Sequence, residues 1–222
     1  MSSESAISNE ATMTTTYPVM LDLRHALCLV VGGGHVARQK VRGLLHAGAT
    51  VEIVAPWIHP DLESLDGAVH LRRRRYRTRD LGGAHLVITC TDDPAVNARV
   101  AAEARERRIW VNSADDPANC SFTLPSVARQ GDLSVMVSTN GKSPALSKWL
   151  RRRFEDEFDG SWGELLDVLA EVRAEARSTL GTSELAGWDA ALDESLLDLV
   201  RAGRTDEAVE TSRRHLGLAV AA

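Results

Sequence analysis

The sequence predicts an α/β fold in which a Rossmann-type, doubly wound parallel sheet is followed by a small central segment and a helical carboxyl-terminal region. Short, uninterrupted apolar runs are typical of strands buried on both faces of a parallel sheet. In the first half of the chain such runs alternate with stretches of helical periodicity, and a glycine-rich turn joins the first run to the first helix. This alternation predicts right-handed βαβ units.

The predicted strands of this half are the apolar runs at 26–31, 50–55, 86–90 and 110–112. Residues 35–46 have the periodicity of a helix, and Gly48 is placed to stop it. Pro94 stands where a helix after the third run would begin, because proline is favoured in the first helical turn.

The second half of the chain begins with a different pattern. Residues 133–138 alternate with period two, as a half-exposed strand does, and Asn140 with Gly141 predicts a turn. Ser143 and Pro144 then predict the N-cap and first residue of a helix that runs through Trp149.

The rest of the chain is predicted to be helical. Ser161 and Glu164 predict a capping box that opens a helix ending near Gly181. Two more helical segments are predicted at 183–202 and 205–216.

Composition excludes several classes of protein. The net charge is −5 and no domain is strongly basic, so nucleic acid is not an expected partner. No apolar run reaches the roughly 18 residues of a membrane span, and the start of the chain has no apolar signal core. We therefore expect a cytoplasmic protein without a membrane partner. Cys28, Cys90 and Cys120 lack metal-ligand spacing, so no metal site is predicted.

The glycine-rich turn reads Gly-Gly-Gly-His-Val-Ala at 32–37 and fits the pattern G-x-G-x-x-A between a strand and a helix. Gly32 and Gly34 allow a sharp turn and let the backbone approach a pyrophosphate, whose charge the helix start stabilises. The alternative is a glycine-rich turn that binds nothing. The strand and helix on either side favour a dinucleotide site.

The residues alone leave NAD and NADP open. An acid usually holds the ribose 2′-hydroxyl of NAD at the end of the second strand, but this chain has Ala55, Pro56 and Trp57 there. The arginines at 72–75, 77 and 79 could meet a 2′-phosphate, although a solvated strand face is the favoured interpretation.

The order and spacing of several motifs over residues 17–158 resemble the siroheme synthase amino-terminal family. The glycine turn with Lys40 contributes to this resemblance, as do Asn112, Asp115 and Pro117 in an N-x-x-D-x-P pattern. The other motifs lie at 91–93, 121–126 and 138–144. Members of the family are precorrin-2 dehydrogenases, and some also insert iron into the product, sirohydrochlorin.

The resemblance implies NAD as the cofactor, bound over the glycine turn and the end of the second strand. The cofactor contacts expected on this basis are Gly32, Gly34, His35, Val36, Pro56, Trp57, Thr91 and Asp92.

The resemblance also gives Asp115 the position of an aspartate implicated in dehydrogenation and chelation. Oxidation of precorrin-2 removes a hydride and a proton, so a base is needed, and Asp115 is the predicted base. Asp116 is a neighbouring acid that competes for the role, and a turn-capping carboxylate beside Pro117 is the alternative for Asp115. The carboxylate-rich tetrapyrrole substrate is expected to contact Asn112, Thr139, Lys142 and Ser143.

The predicted organisation is a loose leader at 1–16, a Rossmann NAD-binding domain at 17–113, a central dimerisation and substrate segment at 114–149 and a helical domain at 150–222. The resemblance implies that the central segment forms a homodimer. Two other functions stay open, a non-catalytic sensor of dinucleotide or tetrapyrrole and a different small-molecule reductase. Asp115 favours an enzyme, because a sensor needs no base.

Overall fold

A computed structural model describes residues 16–65, 67–185 and 187–218. The predicted leader therefore lies outside the described residues except for Thr16. The chain divides into two compact units, Met1–Leu124 and Pro125–Ala222, and each is described by itself.

The amino-terminal unit is built on a five-stranded sheet in the order β3-β2-β1-β4-β5, and every neighbouring pair of strands is parallel. The strands are β1 Leu27–Val31, β2 Thr50–Ala55, β3 Val69–Arg73, β4 Leu86–Thr89 and β5 Trp110–Ser113. Its helices are α1 His35–His46, α2 Pro60–Glu63 and α3 Pro94–Glu106, with short 3-10 turns at Thr78–Leu81 and Pro117–Asn119. The Rossmann-type sheet expected from the sequence is confirmed.

The sheet is apolar on both faces because each central strand sends successive side chains to opposite sides. Val30 lies in the cluster that includes Val41 of α1, whereas Leu29 lies in the cluster that includes Val100 of α3. All four of these side chains are almost fully buried. Uninterrupted apolar runs in the sequence therefore correspond to strands covered by helices on both sides.

The carboxyl-terminal unit starts with an antiparallel hairpin, β6 Ser126–Gln130 and β7 Leu133–Val137. Gly131 makes the turn with a φ of 57°, a conformation that glycine adopts without steric cost. The sequence predicted β7 but not β6. In β6 only Ala128 is buried, so this strand lacks the clear alternation that identifies half-buried strands.

The helices of this unit are α4 Pro144–Glu157, α5 Gly160–Leu180, α6 Trp188–Ala191, α7 Glu194–Arg201 and α8 Thr205–His215. Ser143 caps α4 as expected, but the helix continues beyond Trp149. The predicted capping box at Ser161 is wrong, because the carboxylate of Asp159 accepts the Ser161 N–H and caps α5. The predicted segment at 183–202 is two shorter helices, α6 and α7.

The helices α5 to α8 enclose one apolar cluster, which includes Val172, Leu196 and Val200. No helix in the described ranges is long and apolar enough to cross a membrane.

Candidate active site

The glycine turn after β1 is closely packed on two sides and open on the third. A Cβ at Gly32 would lie 2.6 Å from the carbonyl oxygen of Cys90, and one at Gly33 would lie 2.2 Å from that of Trp57. A Cβ at Gly34 would meet no atom within 4 Å. The turn is thus held between the segments after β2 and β4, while Gly34 borders open space.

The open side of the turn is also the start of α1. Gly34 is the N-cap residue, no side chain caps the helix, and its first turn contains no acid. The N–H groups of the first helical turn have no partner within a helix, and the helix dipole favours an anion there. Backbone N–H groups, positive potential and free volume together fit the pyrophosphate of a dinucleotide.

Aromatic side chains border this cradle at the end of β2. Trp57 is 61% exposed, and its ring centroid lies 6.0 Å from that of His59. The His59 ring in turn lies 4.6 Å from the ring of His35. The backbone N–H of His59 donates to the Gly33 carbonyl at 2.8 Å. The structure therefore brings His35 and Trp57 together beside the glycine turn, with the exposed Val36 and Pro56 next to them in the chain.

The segment after β4 forms the other side of the crevice, and a buried amide organises it. Oδ1 of Asn97 accepts the Thr91 N–H at 3.1 Å, and its Nδ2 donates to the Thr91 carbonyl at 2.9 Å. Asp92 follows with an exposed side chain. This role of Asn97 was not predicted, because a position one turn into α3 gives no local signal of it.

Asp115 lies in the loop after β5, at the same carboxyl edge of the sheet as the glycine turn. It is exposed and has a φ of 59°, in the left-handed region. Asparagine and aspartate tolerate this conformation better than most residues. No hydrogen bond or ion pair engages its carboxylate within residues 16–65, 67–185 and 187–218. In contrast, Oδ2 of Asp116 accepts the side-chain amide of Asn119 at 2.6 Å.

A thiol and an amide hold the loop that carries Asp115. Sγ of Cys120 accepts the Ser113 N–H at 3.2 Å and lies 3.4 Å from the Asp116 carbonyl, to which it can donate. Nδ2 of the buried Asn112 donates to the Phe122 carbonyl at 3.0 Å. In this geometry Asn112 positions the loop. The sequence analysis did not assign Cys120 this role.

The residues predicted for the substrate in the carboxyl-terminal unit cluster at the start of α4. Oγ1 of Thr139 accepts the Ser143 N–H at 3.1 Å, and Oγ of Ser143 accepts the Leu146 N–H at 3.2 Å. Both hydroxyls thus shape the turn and the helix start. Lys142 is exposed between them.

Two of the cysteines lack the character of nucleophiles. Burial raises the pKa of the Cys28 thiol to about 11, and burial together with the nearby charge of Asp92 raises that of Cys90 to about 12, against the effect of Lys40. Both thiols are therefore protonated at neutral pH. The part of the chain that the structure describes contains no group of three or more His, Cys, Asp or Glu side chains suited to a metal ion.

Comparison with known proteins agrees with this geometry. Residues 19–126 match a family model described as putative NAD(P)-binding, and residues 130–157 match one described as the central part of a sirohaem biosynthesis protein. The amino-terminal unit is therefore a dinucleotide-binding domain of the Rossmann class, and the match supports NAD as the cofactor.

Relatives extend the match over most of the chain. It is 37% identical over 195 residues to siroheme synthase 1 of Serratia proteamaculans, covering 86% of this chain and 41% of the relative. It is 40% identical over 171 residues to siroheme synthase of Methylobacillus flagellatus, covering 76% and 37%. The chain thus spans about two fifths of the length of these relatives.

A solved structure described as SirC, precorrin-2 dehydrogenase, aligns with a TM-score of 0.66 at 26% identity, covering 90% of this chain and all of that one. Over most of its length the chain is therefore similar to siroheme synthases and to a precorrin-2 dehydrogenase, in agreement with the resemblance that its motifs carry.

Proposed function

We propose that this chain is a precorrin-2 dehydrogenase, which oxidises precorrin-2 to sirohydrochlorin with NAD+ in siroheme biosynthesis. The observation that supports this most is the sharing of one sheet edge by an open pyrophosphate cradle at Gly34 and the carboxylate of Asp115, which no described residue engages. Open α/β sheets bind ligands at the carboxyl ends of their strands, so a cofactor held by α1 and a substrate within reach of Asp115 would meet there.

Each group of residues has one task in the proposed reaction. Precorrin-2 and NAD+ yield sirohydrochlorin, NADH and one proton, and bound NAD+ supplies the hydride acceptor. The N–H groups at the start of α1 hold the pyrophosphate, and Trp57 covers the adenosine side. Asp115 accepts the proton that is released as conjugation extends. Asn112 and Cys120 fix the loop so that this carboxylate keeps one position.

Substrate binding is assigned to the start of α4. The tetrapyrrole carries many carboxylates, and Lys142 offers an exposed ammonium group beside the N–H groups of that helix start. Thr139 and Ser143 preserve the shape of the turn, and they are the other substrate contacts expected in this unit.

The test of this proposal is anaerobic incubation of the protein with precorrin-2 and NAD+, followed by absorbance of sirohydrochlorin. Its appearance only when protein and NAD+ are both present supports the enzyme. Binding of both compounds without turnover would instead favour the sensor that the sequence left open.

We also propose a cytoplasmic homodimer, assembled through the central segment at 114–149. Four large apolar side chains of this segment are exposed, Leu124 at 48%, Met136 at 42%, Leu146 at 46% and Trp149 at 55%. Exposed apolar groups and the unpaired outer edges of a two-stranded sheet are typical of a surface that another chain covers.

The dimer is a testable expectation. Light scattering at micromolar concentration should give twice the chain mass of 24.1 kDa. Trp149→Glu places a charge in the proposed interface and should shift the mass toward the monomer, whereas Trp110→Glu, at a similarly exposed tryptophan on β5, should not. A wild-type monomer would contradict the proposal.

Metal insertion is expected to be weak beside dehydrogenation. Insertion needs a base to take pyrrole protons, and Asp115 could serve. Of the His and Cys residues only Cys120 lies near it in sequence, and a single thiol is a weak candidate to guide the ion. Loss of sirohydrochlorin absorbance after adding Fe2+ or Co2+ measures this activity. A rate comparable to that of dehydrogenation would contradict the expectation.

A further inference from the structure

The adenosine side of the cradle lacks an acid but is rich in arginine. In the register of β2 and β3, Ala55 pairs with Arg73, so Arg74 follows at the carboxyl edge beside Pro56. An arginine near the end of the second strand is the usual partner of the 2′-phosphate of NADP. Position alone would therefore make this chain an NADP protein.

The buried carboxylate of Asp80 already forms ion pairs with Arg72 and Arg74. Nη1 and Nη2 of Arg74 bind the two carboxylate oxygens of Asp80 at 2.7 and 2.6 Å. Arg72 lies 3.3 Å from the same carboxylate and also pairs with the buried Glu52. The Asp80 side chain has no exposed surface, and it accepts the Arg77 N–H at 2.8 Å as well. Two guanidinium groups are thus held against the sheet.

Asp80 is an anion at neutral pH. Burial disfavours its charged form, yet the pKa of its carboxyl lies below the ordinary value because the hydrogen bonds from Arg74 and the Arg77 N–H, with the charges of Arg74 and Arg72, outweigh burial. The ion pairs therefore persist under the conditions in which a dinucleotide would bind.

Two further arginines near the cradle are paired in the same way. Arg73, on the opposite face of β3, lies 2.8 Å from Glu63 of α2, and Arg38 of α1 pairs with Asp61. Carboxylates of this unit thus pair with four arginines near the end of β2: Arg38, Arg72, Arg73 and Arg74.

We propose that Asp80 is a specificity-determining residue that makes the site select NAD over NADP by withholding Arg72 and Arg74 from a 2′-phosphate. The chain would then prefer NAD because its arginines are neutralised. Other Rossmann domains obtain the same preference from an acid at the end of the second strand. This inference rests on the proposed function in one respect, that a dinucleotide binds across the glycine turn. Asp80 acts through the arginines and is a positioning residue.

The test is calorimetric titration of the full chain with NAD+ and with NADP+, which differ only in the 2′-phosphate. Wild type should bind NAD+ more tightly. Asp80→Asn keeps the acceptor for Arg77 but releases the arginines, so NADP+ affinity should rise at least about tenfold, the scale of one charge-assisted hydrogen bond. NAD+ affinity should stay within about twofold of wild type.

Three variants make the result specific. In Asp80→Asn with Arg74→Gln, the gain in NADP+ affinity should be mostly lost, because the released cation is gone. Asp22→Asn removes the same charge from the same unit but releases Arg24, which precedes β1, and should leave the ratio of affinities unchanged. Glu63→Gln, at a side chain 43% exposed, frees Arg73 without a burial cost and should raise NADP+ affinity modestly even if Asp80→Asn does not fold.

The outcomes separate the inference from the proposed function. Tight NAD+ binding with equally tight NADP+ binding in wild type, or no gain in the folded variants, overturns the role of Asp80 and leaves the dehydrogenase intact. Failure of wild type to bind either dinucleotide overturns both.

Discussion

Replacing Asp115 with alanine is expected to lower NADH formation from precorrin-2 by at least about 100-fold, the lower range of the contribution made by a positioned general base. Asp115 is exposed, and no contact within the described ranges engages its carboxylate, so the substitution removes a proton acceptor and breaks no contact. Alanine is less favoured than aspartate at a φ of 59°, so Asp115→Asn, which keeps the backbone preference, should show the same loss. Affinity for NAD+ should not change, because the cradle lies after a different strand.

Asp116→Ala is the matched control at the neighbouring acid. Its carboxylate is engaged by Asn119, so the variant should keep most of the dehydrogenase rate and lose only some stability of the loop. If Asp116→Ala instead loses the dehydrogenase activity and Asp115→Ala keeps it, the base is Asp116. If Asp115→Ala retains full activity, the proposed mechanism is wrong. If one carboxylate serves both reactions, Asp115→Ala should also lose any metal insertion.

Gly34→Val is expected to weaken NAD+ binding by more than about 100-fold, equivalent to about 2.7 kcal/mol. A Cβ at Gly34 meets no protein atom within 4 Å, so the chain should fold, but the added side chain would occupy the space of the pyrophosphate. Fluorescence or calorimetric titration measures the effect.

Gly43→Val is its matched control. Gly43 lies in the same helix, and a Cβ there also meets nothing within 4 Å. Valine is a better helix former than glycine, so stability should not fall, and NAD+ affinity should match wild type. Unchanged affinity in a folded Gly34→Val variant would remove the cofactor assignment.

Four of the five strands in the amino-terminal unit could be predicted because their signals are local, whereas β3 was expected only as a solvated strand face. Val30 and its neighbours form an apolar run that only a doubly covered strand explains, and Pro94 begins its helix as its backbone chemistry favours. The glycine turn could also be predicted from the sequence. The structure shows why glycine is needed there, because a side chain at Gly32 or Gly33 would collide with backbone atoms.

The features that sequence reasoning missed depend on partners distant in the chain. Arg72 and Arg73 are exposed, as expected for a solvated strand face. However, the structure also pairs Arg72 to Arg74 with Glu52, Asp80 and Glu63, and the sequence spacing does not predict these pairs. Asn97 and Cys120 likewise act through backbone groups of other segments.

The start of α5 was predicted at the wrong residue because two good N-cap residues lie close together in the sequence. Ser161 and Asp159 are both good N-cap residues, and the aspartate two positions earlier is the one that caps α5.

The most direct test of the central claim is a single anaerobic reaction of the purified chain with precorrin-2 and NAD+, in which sirohydrochlorin and NADH are measured together. A dehydrogenase predicts that the two products appear in equal amounts, at a rate that depends on protein concentration and falls at least about 100-fold in Asp115→Ala. Sirohydrochlorin without NADH, or NAD+ binding without either product, would contradict it.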